Sequence, residues 1–403
     1  MIELIIRLFA NLFDVTIHPF FSYASTRLLL SATTTLVLTI FIGPCFIKRL
    51  QRLKIGQKVR LEEAPQISEF HEQKQGTPTM GGVLVIVSML ISLILWMDLK
   101  SPFTWLLGAC LLILSFVGGV DDYLKIRRNN TRGIKPRWKV FWQLVSAALI
   151  ASYLLIPNVS KGIESTFGLK APVVKEVRFV EGKKSLEQVP LDHFGKELFI
   201  PFRKAPFKFS GHIAALILFG FYLFVITGSS NAVNLTDGLD GLAAGLLMIC
   251  AVPLIIVAFA SSNIEIARYL NIPYIEGSHE IAIFLAGFVG GLLGFLWYNS
   301  PPAQVFMGDI GSLTFGGLLG IVSVLLRREF LLALVGGLFV IETLSVILQV
   351  ASFRLRGGKR IFLCAPIHHH FECKGMKETK VVIRFWIIGL LLALLGILSL
   401  KLQ

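Results

Sequence analysis

Charge is what this sequence has least of. Asp, Glu, Lys and Arg make up 16% of the 403 residues against 54% hydrophobic ones, and the mean hydropathy is +0.72. A water-soluble core of this length does not need so much apolar sequence, so a soluble globular class is excluded and the chain reads as an integral membrane protein. Cysteine is also sparse. Cys45, Cys110, Cys250, Cys364 and Cys373 show no disulfide spacing, and three of them lie within or at the edge of apolar runs, where Cys behaves as a small hydrophobe. No small-residue cleavage site follows the first apolar patch, so no cleavable signal peptide is expected. Internal repeats and low-complexity tracts are lacking, which leaves 1–403 as one membrane domain. Acidic residues are the scarcer sign, 25 against 39 basic ones, for a net charge of +14. The basic excess falls mostly in short loops on one side, which is the ordinary orientation signal, so no nucleic-acid partner is expected.

What the sequence does have is long apolar runs. Ten candidate spans fall at 24–46, 79–97, 103–120, 138–156, 212–229, 241–260, 280–298, 310–326, 330–352 and 381–400. The expected fold is an all-α polytopic membrane protein of about ten transmembrane helices. Ahead of them, Ile2, Ile5, Ile6, Phe9 and Phe13 recur at helical spacing, which predicts a short helix lying in the interface. The loops at 47–78, after the third span and before the tenth are rich in Lys and Arg and fall on one side. The positive-inside rule makes that side cytoplasmic and puts both termini outside, in the periplasm. The connection 157–211 then becomes an extended periplasmic loop, with a strand pair expected around Glu181-Gly182. Its lysines do not overturn the orientation, since long loops translocate regardless of charge.

Under that count the unusual polar residues collect on the cytoplasmic side, at the ends of spans three, five, seven and nine. Ionisable groups at membrane depth are expensive and are kept where they bind or react. Asn231-Ala-Val-Asn234-Leu-Thr-Asp237-Gly238-Leu239-Asp240-Gly241 places a polar residue at every third position. On a regular helix Asn231 and Asp240 would end on opposite sides, but Gly238 and Gly241 allow the backbone to depart from that and a planar ligand to come close. Such an amide- and carboxylate-lined pocket suits a nucleobase and ribose, while the plain alternative is a polar turn capping the next helix. Asp121-Asp122 closes span three; consecutive helical side chains diverge by about 100°, so the two carboxylates can reach one substrate without doing the same job. The alternative there is a solvated helix end beside Lys125. Asn299-Ser-Pro-Pro-Ala-Gln-Val-Phe306-Met-Gly-Asp309 stops one helix and opens another, where a carboxylate beside helix amides suits Mg2+ and phosphate or is simply an N-cap. Phe306 is either a platform for a base or plain packing.

Two further stretches are less specific. Three consecutive histidines, His368, His369 and His370, do not easily ligate one metal, because their side chains diverge; hydrogen bonding to phosphate or proton shuttling fits them better than zinc. Lys74-Gln-Gly-Thr-Pro-Thr79-Met-Gly-Gly is not a Walker A loop, yet offers amide and ammonium donors at a helix start. Glu342, inside span nine, reads as one end of an interhelical bond or ion pair.

Together Lys74 with Gly-Thr-Pro-Thr-Met-Gly-Gly, Val-Asp121-Asp122-Tyr, the 231–243 stretch, Val-Phe306-Met-Gly-Asp309-Ile-Gly-Ser-Leu and Ala-Pro-Ile-His368-His369-His370-Phe-Glu resemble the polyprenyl-phosphate N-acetylhexosamine-1-phosphate transferase superfamily. The histidine block resembles the members that transfer a phospho-N-acetylmuramoyl-pentapeptide. The resemblance implies transfer of that group from UDP-N-acetylmuramoyl-pentapeptide to undecaprenyl phosphate, with release of UMP, in the bacterial inner membrane. It implies Mg2+ held by Asp309, Asp121 as base toward the lipid phosphate, Asp122 organising lysines or metal, and His368 as a catalytic or phosphate-contacting residue. It implies substrate contacts from Lys74, Thr79, Lys125, Lys139, Asn231, Asn234, Asp237, Gly238, Leu239, Asp240, Asn299, Phe306 and His369, with Phe306 under the uracil. A homodimer is left open, and the 157–211 segment is longer than the family pattern.

Overall fold

The computed structural model describes residues 19–52, 76–127, 133–180 and 183–401. The expected interfacial helix at 2–13, Lys74 and the turn at Glu181-Gly182 lie outside the described residues. Every predicted span falls on a helix: α1 (Ala24–Arg52), α2 (Gly82–Trp96), α3 (Pro102–Arg127), α4 (Pro136–Leu155), α5 (Gly211–Thr236), α6 (Leu242–Ser261), α7 (His279–Asn299), α8 (Gly308–Leu325), α9 (Gly337–Leu355) and α10 (Glu378–Lys401). Among the described residues nine of these are long and apolar enough to cross a membrane, and α2, with 15 residues, is shorter. At 1.5 Å per residue α2 reaches only about 22 Å. The ninth run is divided, because Gly336 leaves helical geometry and separates Glu329–Val335 from α9.

Lipid offers apolar side chains no hydrophobic reason to associate, so packing here rests on small residues and buried hydroxyls. On α7, Gly287, Gly290, Gly291 and Gly294 form a groove that admits the Ser31, Thr35 and Thr39 face of α1. Ser31 Oγ donates to the Ile283 carbonyl at 2.9 Å and lies 2.8 Å from Ser92 Oγ, while Thr39 donates to Ser88 at 3.1 Å. The same device joins α8 to α5. A side chain at Gly316 or Gly320 would run into Ser229, Val233 or Ile226, and Ser230 Oγ donates to the Leu313 carbonyl at 2.7 Å. A third close approach sets Gly118 of α3 against the backbone of Asp309 and Ile310, at the N-terminus of α8.

The connection between α4 and α5 carries a hairpin, β1 (Val174–Val180) and β2 (Lys183–Val189), paired antiparallel from Val174↔Val189 to Val180↔Lys183. This is the strand pair expected around Glu181-Gly182. Two short strands, β3 (Glu197–Leu198) and β4 (Phe207–Lys208), pair with one another, and β5 (Tyr274–Ile275) joins the outer edge of β1. Buried Arg327 ties this layer to the bundle, donating to the carbonyls of Phe194 and Glu197 and pairing with Glu329.

The α1–α7 contact sets a prediction. Gly290→Val places a branched side chain against the Ala32 carbonyl and Thr35, an overpacking that costs about 1–3 kcal/mol. The thermal midpoint of the purified protein in detergent is expected to fall by several degrees, and an unchanged midpoint would show that these helices are not in backbone contact.

Candidate active site

Four helices bring their ends together around Asp309. The first turn of α8 has unpaired amides, as every helix start does. The Ile310 N–H donates to Asp122 Oδ2 at 3.0 Å, so a carboxylate from α3 caps α8 across 188 residues of sequence. Gly308 is required there twice over, since its φ is +75° and a side chain would strike Asp122 and Thr79. The capping alternative for Asp309 therefore fails. Its carboxylate points elsewhere: Oδ1 accepts from Asn234 Nδ2 at 3.0 Å, and Oδ2 lies 2.9 Å from Lys125 Nζ and 2.6 Å from Lys139 Nζ.

Asp121 shares the same two lysines. Its Oδ2 is 2.7 Å from Lys125 Nζ and 2.7 Å from Lys139 Nζ, while Oδ1 accepts from the Ile134 N–H at 2.6 Å. Asp121 is fully buried and both lysines are partly open, so the ammonium groups face outward from a carboxylate floor. Ligand oxygens of Asp121, Asp122 and Asp309 come within 4.8 Å of one another, the one such acidic group among the described residues. An all-oxygen donor set of this kind matches Mg2+, which takes one or two carboxylates together with substrate phosphates.

Asp237, in the turn after α5, is the fourth carboxylate. Burial, then the charges of Asp309, Asp122 and Asp240, push its pKa from 3.8 to about 7. Repulsion of this kind is what a bound cation relieves, so the residues present fit a divalent metal. The turn continues into Gly238, which leaves room for the rings of His368 and His369. The three histidines of the short helix Ile367–Cys373 go to three different partners. His368 Nδ1 is 3.1 Å from Glu342 Oε2 of α9, His369 Nδ1 is 2.7 Å from Glu372 Oε2, and His370 Nδ1 accepts from the Leu363 N–H at 3.1 Å.

Not every expected contact residue faces this centre. Asn231 lies one turn back on α5, where its amide donates to Gln143 Oε1 and the Thr227 carbonyl. Asn299 is spent on backbone, accepting from the Gly241 N–H at 3.0 Å and donating to the Val305 carbonyl at 2.9 Å. Asp240 accepts from the Ala303 N–H at 3.0 Å, and its own N–H donates to Glu378 at 2.7 Å. Leu239 is buried in the core. These contacts of the four are with backbone, core, Gln143 or Glu378 and not with the charged floor. Phe306, half buried, is bridged through its backbone to Pro78 and Gly81 at 2.8 Å each, which holds the Thr79 loop against α8. Lys74 lies outside the described residues. Gln143, Ser312, Glu372 and Glu378 also bond to site residues, and the sequence reading misses all four. Ser312 sits inside the Gly-Asp-Ile-Gly-Ser motif and accepts from Asn234 at 2.9 Å, and Glu372 closes the histidine block; Gln143 and Glu378 have no motif to betray them.

A pH experiment follows from Asp237. The folded protein holds its proton between about pH 4 and pH 7 where the unfolded chain does not, so this residue costs stability as pH rises through that window. Asp237→Asn is expected to gain in thermal midpoint relative to the parent at pH 8 and to show little difference at pH 4. A relative loss at pH 8 would mean that the carboxylate is not crowded by its neighbours.

Sequence comparison agrees with this geometry. The pattern of glycosyl transferase family 4 matches residues 104–327. The phospho-N-acetylmuramoyl-pentapeptide-transferase signature 1 matches residues 74–86, from Lys74 through the Thr79 loop into α2. A phospho-N-acetylmuramoyl-pentapeptide-transferase of Protochlamydia amoebophila (strain UWE25) is 54% identical over 410 residues, covering 100% of each chain. With more than half of its length in the family pattern and a relative this similar from end to end, the chain belongs to glycosyl transferase family 4, among the phospho-N-acetylmuramoyl-pentapeptide-transferases.

Proposed function

We propose that the chain transfers phospho-N-acetylmuramoyl-pentapeptide from UDP-N-acetylmuramoyl-pentapeptide to undecaprenyl phosphate. The products are undecaprenyl-pyrophosphoryl-N-acetylmuramoyl-pentapeptide (lipid I) and UMP, in the first membrane step of peptidoglycan synthesis. The observation that carries this reading is the pair of lysines shared by Asp121 and Asp309 in a chain aligned end to end with a transferase of that name.

The exchange breaks one phosphoanhydride and makes another, so it is close to isoenergetic. Catalysis is then mainly placement and charge neutralisation of two phosphates that repel each other. Lys125 and Lys139 give those phosphates ammonium partners without further desolvation, because they are already held in place by carboxylates. Asp121 is the base toward the lipid phosphate, and Asp122 fixes the α8 N-terminus so that Asp309 keeps its aim. Asp309, with Asp121 and Asp122 beside it, would hold Mg2+, which when bound neutralises diphosphate charge. Asn234 orients Asp309, and the Asp237–Gly241 turn, Thr79 and Phe306 form the nucleoside side of the pocket, with Lys74 as a further phosphate contact.

The setting is the bacterial inner membrane. The Lys- and Arg-rich loops put the site end in the cytosol and both termini and the 157–211 hairpin layer in the periplasm. The nucleotide then arrives from water while the lipid phosphate enters sideways between helices.

UMP release decides the reading. Purified protein with undecaprenyl phosphate and Mg2+ is expected to release UMP from UDP-N-acetylmuramoyl-pentapeptide and not from UDP-N-acetylglucosamine; the reverse preference would reassign the sugar. Asp309→Asn is expected to slow release by about 100–1,000-fold with the thermal midpoint retained. A near-normal rate would remove Asp309 from the mechanism. UMP formed without lipid acceptor would favour a phospho-enzyme route over direct attack.

A further inference from the structure

His368 and Glu342 form a pair that the charged floor does not use. Both side chains are fully buried, and His368 Nδ1 lies 3.1 Å from Glu342 Oε2. Glu342 stands in the second turn of α9, where the break at Gly336 restarts the helix. Its carboxylate has no other ion-pair partner among the described residues, and a buried carboxylate without one is costly. As the side chains stand, neither ring nitrogen makes a hydrogen bond: Nδ1 faces Glu342 Oε2 at ion-pair distance, and Nε2 is buried against Gly238, in the space a side chain there would fill. Gly238 follows Asp237, whose carboxylate feels the charge of Asp309, in the turn between α5 and α6.

The two ring nitrogens thus meet different surroundings, one a carboxylate and the other the Gly238 turn. We propose that Glu342 is the positioning residue of His368: at 3.1 Å a small turn of either side chain lets its carboxylate accept the Nδ1–H, which fixes the ring and leaves Nε2 as the nitrogen presented to the substrate at the Gly238 turn. The logic is that of any imidazole whose orientation is set by an acceptor behind it. Glu342 touches no substrate and acts through the ring. The proposal deepens the transferase reading and rests on it for the substrate's identity, but the orientation of the ring can be tested without turnover.

The test uses the full-length protein in detergent with two variants. In Glu342→Gln the amide oxygen still accepts from Nδ1–H, whereas Glu342→Leu offers no acceptor. Glu342→Leu is expected to lower kcat for UMP release by about 100-fold, with KM for the UDP-sugar within about threefold, and Glu342→Gln to recover most of the rate. In a His368→Ala background the Leu substitution is expected to add nothing. Histidine 15N spectra of the parent, assigned by comparison with His368→Ala, are expected to show His368 protonated at Nδ1, with the signal preserved in the Gln variant and altered in the Leu variant. Full activity in Glu342→Leu, additive losses with His368→Ala, or an unchanged His368 signal would each overturn the proposal. A parent protein that releases no UMP but shows the Glu342-dependent signal would overturn the substrate assignment while leaving the pair standing.

Discussion

The structure turns on two ammonium groups shared by two carboxylates. Asp121 and Asp309 come from helices far apart in sequence, and Lys125 and Lys139 each touch both. Charges buried near a bilayer are tolerated when opposite charges and hydrogen bonds surround them, and removing one partner leaves the other exposed to the full desolvation cost. The site therefore holds α3, α4 and α8 together as much as those helices hold the site. Asn234 of α5 completes the ring by donating to Asp309 and Ser312. An incoming phosphate can replace one carboxylate at each lysine, so the charges are in place before a substrate arrives and need little rearrangement.

Such convergence demands close helix approach, which is why the polar clusters are accompanied by glycines. Gly118 lets α3 touch the backbone of Asp309 and Ile310, and without that contact Asp122 could not reach the Ile310 amide. Gly316 and Gly320 bring α8 against α5 in the same way, which sets Asn234 beside Asp309. Small residues therefore decide the chemistry indirectly: they set interhelical distances to the length of a hydrogen bond.

The spans were legible because an apolar run of bilayer length has one common explanation, and each expected run lies on a helix. The break at Gly336 was not, since a glycine inside an apolar run does not announce whether it packs or interrupts. At the site, the structure brings together Asp121, Asp309 and Asn234, which residue type and position single out. The sequence could not tell whether a polar side chain faces a ligand or pins the backbone. Asn299 and Asp240 do the second, holding the loop before α8 to the turn before α6. Asn231 shows the role of helix phase. Regular helix persists through Thr236, so Asn231 stays a turn behind Asn234 and meets Gln143 instead of Asp309. The cap from Asp122 to α8 was invisible because its acceptor and donor belong to different motifs.

The two ends of the molecule treat buried charge differently, and the difference bears on which end does chemistry. At the hairpin end Arg327 donates to main-chain carbonyls of Phe194 and Glu197, bonds that cannot be surrendered without undoing the segment they hold. Nearby Glu197 is pushed up to about 8 by burial and its neighbour Glu176, with Lys208 bridging the two, so that cluster is already close to neutral. At the other end the lysines meet only side chains, and side-chain partners can turn away when a phosphate takes their place. Asp237 is left crowded by carboxylates and His368 Nε2 is left without a partner. A ligand bearing both negative phosphates and a metal answers each of those deficits, whereas buried Arg328 of the hairpin end has the Phe199 ring against it and the charge of Glu329 beside it.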